Sequence, residues 1–141
     1  MDELSRIKEH YLWRRGNVNI WTPFNDYALF LAQQRERAML KLMRDNGLSD
    51  LSKKIILDVG CGEGGELANM VRYGADPVNL HGVDLLDWRI EHAVKNHPVM
   101  KFTCCNAEHL PYADNYFDME IQFTMFSSIF DDVMKSNIAA E

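Results

Sequence analysis

The chain has 141 residues, 47% of them hydrophobic, which suits one globular domain with a real core. Its formal charge of −6 works against non-specific attraction to nucleic acid or to an anionic membrane surface, both of which need an excess of Lys and Arg. No stretch approaches the roughly 20 apolar residues of a membrane helix. The start Met1-Asp2-Glu3-Leu4 lacks the basic-then-apolar order of a signal peptide, so a cytoplasmic location with no membrane and no nucleic-acid partner is expected.

Residues 1 to 23 mix aromatic and charged side chains without a sustained period and read as a short helix followed by a loop. Arg14 and Arg15, beside Tyr11, Trp13 and Trp21, are candidates for a lid, although a solvated amphipathic segment explains them as well. From Asn25 to Asn46 helix formers dominate, opened by Thr22-Pro23 and closed by Gly47, which predicts one long helix. Ala28, Leu31, Gln34, Arg35, Met39, Leu42 and Met43 form an imperfect stripe, expected to pack on a sheet. Residues 1–50 thus read as an N-terminal helical extension and 51–141 as a second unit.

That second unit alternates strands and helices. Ile55 to Val59 is a nearly continuous apolar run, the mark of a parallel strand covered on both faces, and it runs into glycines. Leu67, Met70 and Val71 supply the inner face of the next helix, which Gly74 ends. Asn79 to Asp84 is the second strand; Asp87 as N-cap and Ile90, Ala93 and Val94 as inner face give a helix stopped by Asn96-His97-Pro98. Met100 to Cys105 is the third strand. The fourth, Phe117 to Thr124, puts Phe117, Met119, Ile121 and Phe123 on one side. Ser128-x-x-Asp131 reads as the start signal of a last helix with Ile129, Phe130, Val133, Met134 and Ile138 on its apolar face. Strands and helices at this spacing imply right-handed crossovers and a parallel sheet with helices on both faces.

Of the three cysteines, Cys104 and Cys105 are neighbours on one strand with side chains on opposite faces, so no disulfide framework follows, and buried reduced thiols are expected. The five histidines, His10, His81, His92, His97 and His109, show no metal-ligand spacing, and no metal site is inferred.

The decisive segment is Asp58-Val59-Gly60-Cys61-Gly62-Glu63-Gly64-Gly65, where a strand hands over to a helix. Such a turn brings bare backbone and a helix N-terminus against a ligand, because glycine has no Cβ to hold the ligand off. Gly60, Gly62 and Gly65 also satisfy the dinucleotide spacing, and Asp84, 20 residues past Gly64, suits a ribose-binding acid, so a nicotinamide-dependent oxidoreductase domain stays open. Asp58, two residues before the first glycine, favours a different cofactor: a carboxylate there repels a pyrophosphate but attracts an ammonium and a sulfonium.

In these residues the chain resembles the class I, Rossmann-like S-adenosylmethionine-dependent methyltransferases of the type 11 small-molecule group. The resemblance runs through Ile56 to Gly64, then Gly82-Val83-Asp84, then Asn106 to Pro111, then Asp114 to Asp118, four motifs in the right order. It implies S-adenosyl-L-methionine as cofactor and methyl transfer to a small-molecule acceptor. The residue matching Asp58 holds the methionine amine in that family, and Gly60, Cys61, Gly62 and Gly64 lie against the methionine portion. Asp84 binds both ribose hydroxyls, which gives two charge-assisted hydrogen bonds, and Leu85 packs on adenine. The position of Asn106 usually holds Asp, which accepts from the adenine amino group; the Asn carbonyl can do the same, beside the backbone N–H of Ala107. Phe123, with Thr124, Met125 and Phe126 after it, is expected to line the place where methyl and acceptor meet.

The resemblance also implies a sheet of order 3-2-1-4-5-7-6, of which this sequence supplies 3-2-1-4. The chain is therefore expected to be a truncated gene product, with a free apolar fourth strand through which it self-associates. A non-catalytic S-adenosylmethionine-binding fragment is the corresponding alternative. No residue stands out as a general base.

Overall fold

A computed structural model of the protein describes residues 2–15 and 22–141. The chain divides into two compact units, Glu9–Asp50 on one side and Met1–Lys8 with Leu51–Glu141 on the other. Residues 1–8 were expected to stay with the N-terminal extension. They join the sheet unit because helix α1 (Glu3–Arg15) is fastened there through its first two turns. The Glu3 carboxylate accepts from the Phe130 backbone N–H at 2.6 Å, Arg6 donates to the Ser128 carbonyl, and the Arg6 guanidinium lies 4.0 Å from the centre of the Phe130 ring. Glu3 and Arg6 also pair with each other, which with the Phe130 bond holds the Glu3 carboxyl down at about 2.

Within the smaller unit, helix α2 (Asp26–Asp45) starts one residue after its cap, Asn25, whose side chain accepts from Tyr27 and Ala28 N–H. It ends in a Schellman turn: Gly47, at φ +75°, donates to Arg44 O, and Leu48 donates to Met43 O. The expected packing stripe is only partly present. Ala28 and Met43 are buried, whereas Leu42 is 65% exposed, and α2 falls in a different compact unit from the sheet on which it was expected to pack. Tyr11, Trp13, Arg14 and Arg15 lie on α1; Trp21, with the expected loop around it, lies outside the described residues.

The larger unit is a four-stranded parallel sheet in the order β3-β2-β1-β4, formed by β1 (Ile56–Val59), β2 (Leu80–Asp84), β3 (Lys101–Cys104) and β4 (Met119–Ile121). Helices α3 (Gly65–Arg72) and α4 (Asp87–Asn96) make the crossovers, α3 packing on β2 and α4 on β2 and β3. The sheet is thus α/β with helices, as the alternation implied. Its centre, β1 and β2, is buried along its whole length, and Ile56, Leu57, Leu67, Met70, Leu80 and Val83 are the large side chains sealed in it. Each contributes roughly 1.5–3 kcal/mol by leaving water.

Register sorts the two faces. Ile56 lies opposite Leu80, Asp58 opposite Gly82, and Gly82 opposite Phe102, so Asp58, Gly82 and Asp84 share one face. Leu57, Val59 and Val83 share the other, under Tyr112, Phe117, Met125 and Ile138.

Several local expectations are corrected. Strand β4 has three residues, not eight, and Phe117 departs from the alternation expected for it. Met119 and Ile121 pair with Ile56 and Asp58, while Phe117, ahead of the strand, packs under Leu57 on the opposite face. Asp118 explains the early break: its carboxylate accepts from Ile55 N–H at 2.8 Å, tying the entries of β1 and β4 together. The last helix, α5 (Asp132–Ala140), is capped by Asp131, not Ser128, because Ser128 is held in a 3₁₀ turn over Phe126–Ser128. Only Ile129, Met134 and Ile138 of its expected apolar set are covered; Phe130 and Val133 are exposed. Helix α4 begins after Leu86, with Asp87 as its first residue rather than its cap, and Val94, like Val71 of α3, faces out. Cys104 is exposed where a buried thiol was expected, because β3 is an edge strand.

His81, in the middle of β2, is buried among the edges of Tyr112, Tyr116 and Phe117, whose ring centres lie 5.2 to 5.7 Å away. Neither ring nitrogen has a hydrogen-bond partner among the described residues, and burial, with Lys101 adding to it, lowers its pKa below 6.5. The unfolded chain takes up this proton more readily than the folded one. Stability is therefore full above about pH 6.5 and falls, by at most about 1.4 kcal/mol per pH unit, as the pH drops toward the folded value. Thermal melts between pH 7.5 and 5 should show this loss, and His81→Leu should flatten it.

Candidate functional site

The loop from Gly60 to Gly64 leaves the carboxyl end of β1 and enters α3. Three of its glycines take left-handed backbone angles: Gly60 at φ +79°, Gly62 at +56° and Gly64 at +86°. A side chain at any of them would strain the turn. Gly60 and Cys61 both donate to the Val83 carbonyl, at 2.8 and 2.9 Å, which ties the loop to β2. Gly64 donates to Cys61 O and stands as the N-cap of α3.

Asp84 completes the tie. One carboxylate oxygen accepts from Gly62 N–H and the other from Leu86 N–H, each at 2.9 Å, so the acid is clamped between the glycine loop and the start of α4. An ionised carboxylate has about four acceptor sites, and these two bonds leave capacity for ligand hydroxyls. Asp58 is 2% exposed and Asp84 8%, and both act on the same neighbour. Burial pushes the Cys61 thiol up, and the negative charges of Asp58 and Asp84 push it further. Cys61 is therefore a neutral, buried thiol; its sulfur is turned toward Gly82, where an added Cβ would stand 2.8 Å from it.

The remaining sequence-derived residues lie at the same end of the sheet. Leu85 is half-buried after β2; Cys105, after β3, donates to Asp84 O at 3.0 Å and leads into Asn106 and Ala107. Asn106 closes a local turn: its Oδ1 accepts from Glu108 N–H at 3.1 Å and its Nδ2 donates to the Glu108 carboxylate. Ala107 packs under Leu57, Val59 and Val83. Phe123 follows β4, half-buried, two residues before Met125.

Two contributors went unnoticed in the sequence. Arg89, in the first turn of α4, places Nη1 3.4 Å from where a Cβ on Gly62 would lie, and Gln122 holds the segment after β4. Neither belongs to a spaced motif. Only the position of Arg89, five residues after Asp84, hinted that its cation would return to the loop.

All of this converges at the carboxyl ends of parallel strands, beside the point where the strand order reverses between β1 and β4. Open α/β sheets bind ligands at that place. Bare glycine backbone with two buried carboxylates fits a cofactor that carries ribose hydroxyls and positive charge, and disfavours a diphosphate.

The residues 56–140 match the family model described as a methyltransferase domain. The chain belongs to this family. It is a class I methyltransferase domain of the S-adenosylmethionine-dependent kind. Among solved structures, magnesium protoporphyrin IX methyltransferase from Synechocystis PCC 6803, determined with bound S-adenosylmethionine, superposes at TM-score 0.68 with 18% identity over 99% of this chain and 72% of its own. The YcgJ protein of Bacillus subtilis gives 0.56 with 23% identity over 74% of this chain and 45% of its own. A TehB-like methyltransferase from Corynebacterium glutamicum gives 0.56 with 19% identity over 77% and 61%. At these identities the likeness is one of fold. The methyltransferase domain described here spans less than two thirds of the length of two of these three structures. No curated protein matches the chain. Among the described residues, no helix is long and apolar enough to cross a membrane.

Proposed function

We propose that this methyltransferase domain takes part in methyl transfer from S-adenosylmethionine to a small-molecule acceptor in the cytoplasm. One observation carries the reading: Asp58 and Asp84, both buried and on one sheet face, flank a loop in which Gly60, Gly62 and Gly64 take left-handed backbone angles at the carboxyl end of β1. In this reading Asp84 accepts from the ribose hydroxyls, Asp58 faces the methionine amine, and Gly60 to Gly64 lie along the methionine portion. Leu85 covers one face of adenine, and Asn106 and Ala107 meet its edge. When bound, the cofactor supplies an activated methyl group on a sulfonium. The chain's own residues bind, orient and exclude water, and such alignment of reacting atoms supplies much of the acceleration in a displacement of this kind. Phe123 and the residues after it form the wall on the acceptor side.

Edge strand β4 pairs only with β1 among the described residues, which supports pairing of a second chain along its free side. A domain that binds the cofactor without turning it over is the second reading. Calorimetric titration with S-adenosylhomocysteine and with NAD tests the proposal. Binding of the former alone is expected. Binding of NAD alone overturns it, and cofactor binding without methyl transfer to any acceptor selects the second reading.

A further inference from the structure

One residue of the segment after β4, assigned above only to the wall on the acceptor side, reaches the glycine loop itself. Met125 packs on Leu57, Val59 and Val83 and lies directly over Gly60: its Cβ, Cγ and Sδ stand 3.0, 3.1 and 3.1 Å from the point where a Cβ on Gly60 would be. A ligand resting on the bare Cα of Gly60 needs that same volume.

The backbone around Met125 is built to hold it there. Thr124, just before it, sits at φ +60°, a left-handed conformation that a β-branched residue adopts only when its surroundings impose it. With its amide oriented so that both groups are satisfied, Gln122 accepts through its side-chain oxygen from Met125 N–H at 2.7 Å and from Phe126 N–H at 3.1 Å, which braces the turn after Thr124. Downstream, Arg6 donates to Ser128 O and Glu3 accepts from Phe130 N–H, so the segment is fastened on both sides of the strained residue. The side chain itself is unbranched with three rotatable bonds, and it can leave Gly60 without moving the sheet.

We infer that Met125 is a displaceable plug on the glycine loop, latched by Gln122 and strained at Thr124, which competes with the cofactor for the surface of Gly60 and so sets its affinity and rate of entry. The inference rests on the cofactor reading above and adds to it the regulation of that site. The latch fixes the backbone from which the Met125 side chain projects over Gly60, so weakening either the plug or the latch favours the liganded form. Removing a partly buried methionine side chain that binding must otherwise displace corresponds to about a tenfold change in affinity.

The test is calorimetry and stopped-flow binding of S-adenosylhomocysteine to the full chain, to Met125→Ala and to Gln122→Ala. Both variants are expected to bind more tightly, Met125→Ala by about tenfold, with the gain in the association rate. Because Met125→Ala also removes a packing contact, methionine-methyl NMR of the unaltered chain provides an independent readout: the Met125 methyl signal should shift on ligand addition as it leaves its apolar surroundings. Unchanged or weaker binding by both variants, or a Met125 methyl signal that ignores the ligand, overturns the plug while leaving the cofactor reading intact. If the unaltered chain and both variants alike bind no S-adenosylhomocysteine, the cofactor reading fails and the plug with it.

Discussion

Replacing Asp84 by alanine is expected to weaken S-adenosylhomocysteine binding by about a hundredfold or more. Two losses combine. A carboxylate bridging two ribose hydroxyls makes two charge-assisted hydrogen bonds, each worth roughly 1.5–3 kcal/mol, and the smaller figure for both already exceeds a hundredfold. The same oxygens accept from Gly62 and Leu86 N–H, so alanine also releases the glycine loop from the start of α4. Asp84→Asn separates the two contributions. Its amide oxygen can still accept from one of these donors, so the loop should stay in place while the charge is lost, giving an affinity between those of the alanine variant and the unaltered chain. Calorimetry at constant temperature, with thermal melts of each variant alongside, checks the order. An affinity near that of the unaltered chain for Asp84→Ala would remove this residue from the site.

Gly82→Ala should lower the stability of the fold by about 1–3 kcal/mol, the usual cost of forcing a methyl group into a filled core. Gly82 lies in the buried centre of β2, on the face shared with Asp58 and Asp84. A Cβ there would stand 2.8 Å from both Cys61 Sγ and Phe102 Cδ1. Glycine at this point lets the cysteine of the loop and the aromatic ring of β3 close over the strand, which is how Gly62 comes within reach of Asp84. The substitution should therefore lower the urea midpoint and weaken cofactor binding together. Adding Cys61→Ala removes one of the two clashing atoms and should restore part of the stability. A Gly82→Ala protein as stable as the original would show that Cys61 and Phe102 move aside at no cost.

The elements that were legible in the sequence are those whose signals are local. The apolar run Ile56 to Val59, the glycines after it, the stop at Gly47, and the spacing of Leu67 with Met70 or Ile90 with Ala93 each depend on a few consecutive residues. Alternation of such units leaves a parallel sheet with right-handed crossovers as the favoured topology, and the order β3-β2-β1-β4 is the one that the family resemblance implied. The start of β4 was misjudged because Phe117 continues the two-residue period in sequence, while Asp118 binds Ile55 ahead of the strand and Phe117 packs on the opposite face. The start of α5 was misjudged because two polar residues, Ser128 and Asp131, each suit a cap, and a 3₁₀ turn three residues long decides between them.

The family and the placing of Asp58, Asp84 and the loop glycines at one strand end were determined by the sequence alone, because backbone conformation and charge at a strand end are properties of neighbouring residues. What lies over that loop was decided by the tertiary structure. Met125 on Gly60, Arg89 beside Gly62, and Glu3 with Arg6 holding Ser128 and Phe130 are contacts between residues up to 127 positions apart. No periodicity encodes such contacts, since each exists only after the sheet has brought the carboxyl ends of its strands to one edge.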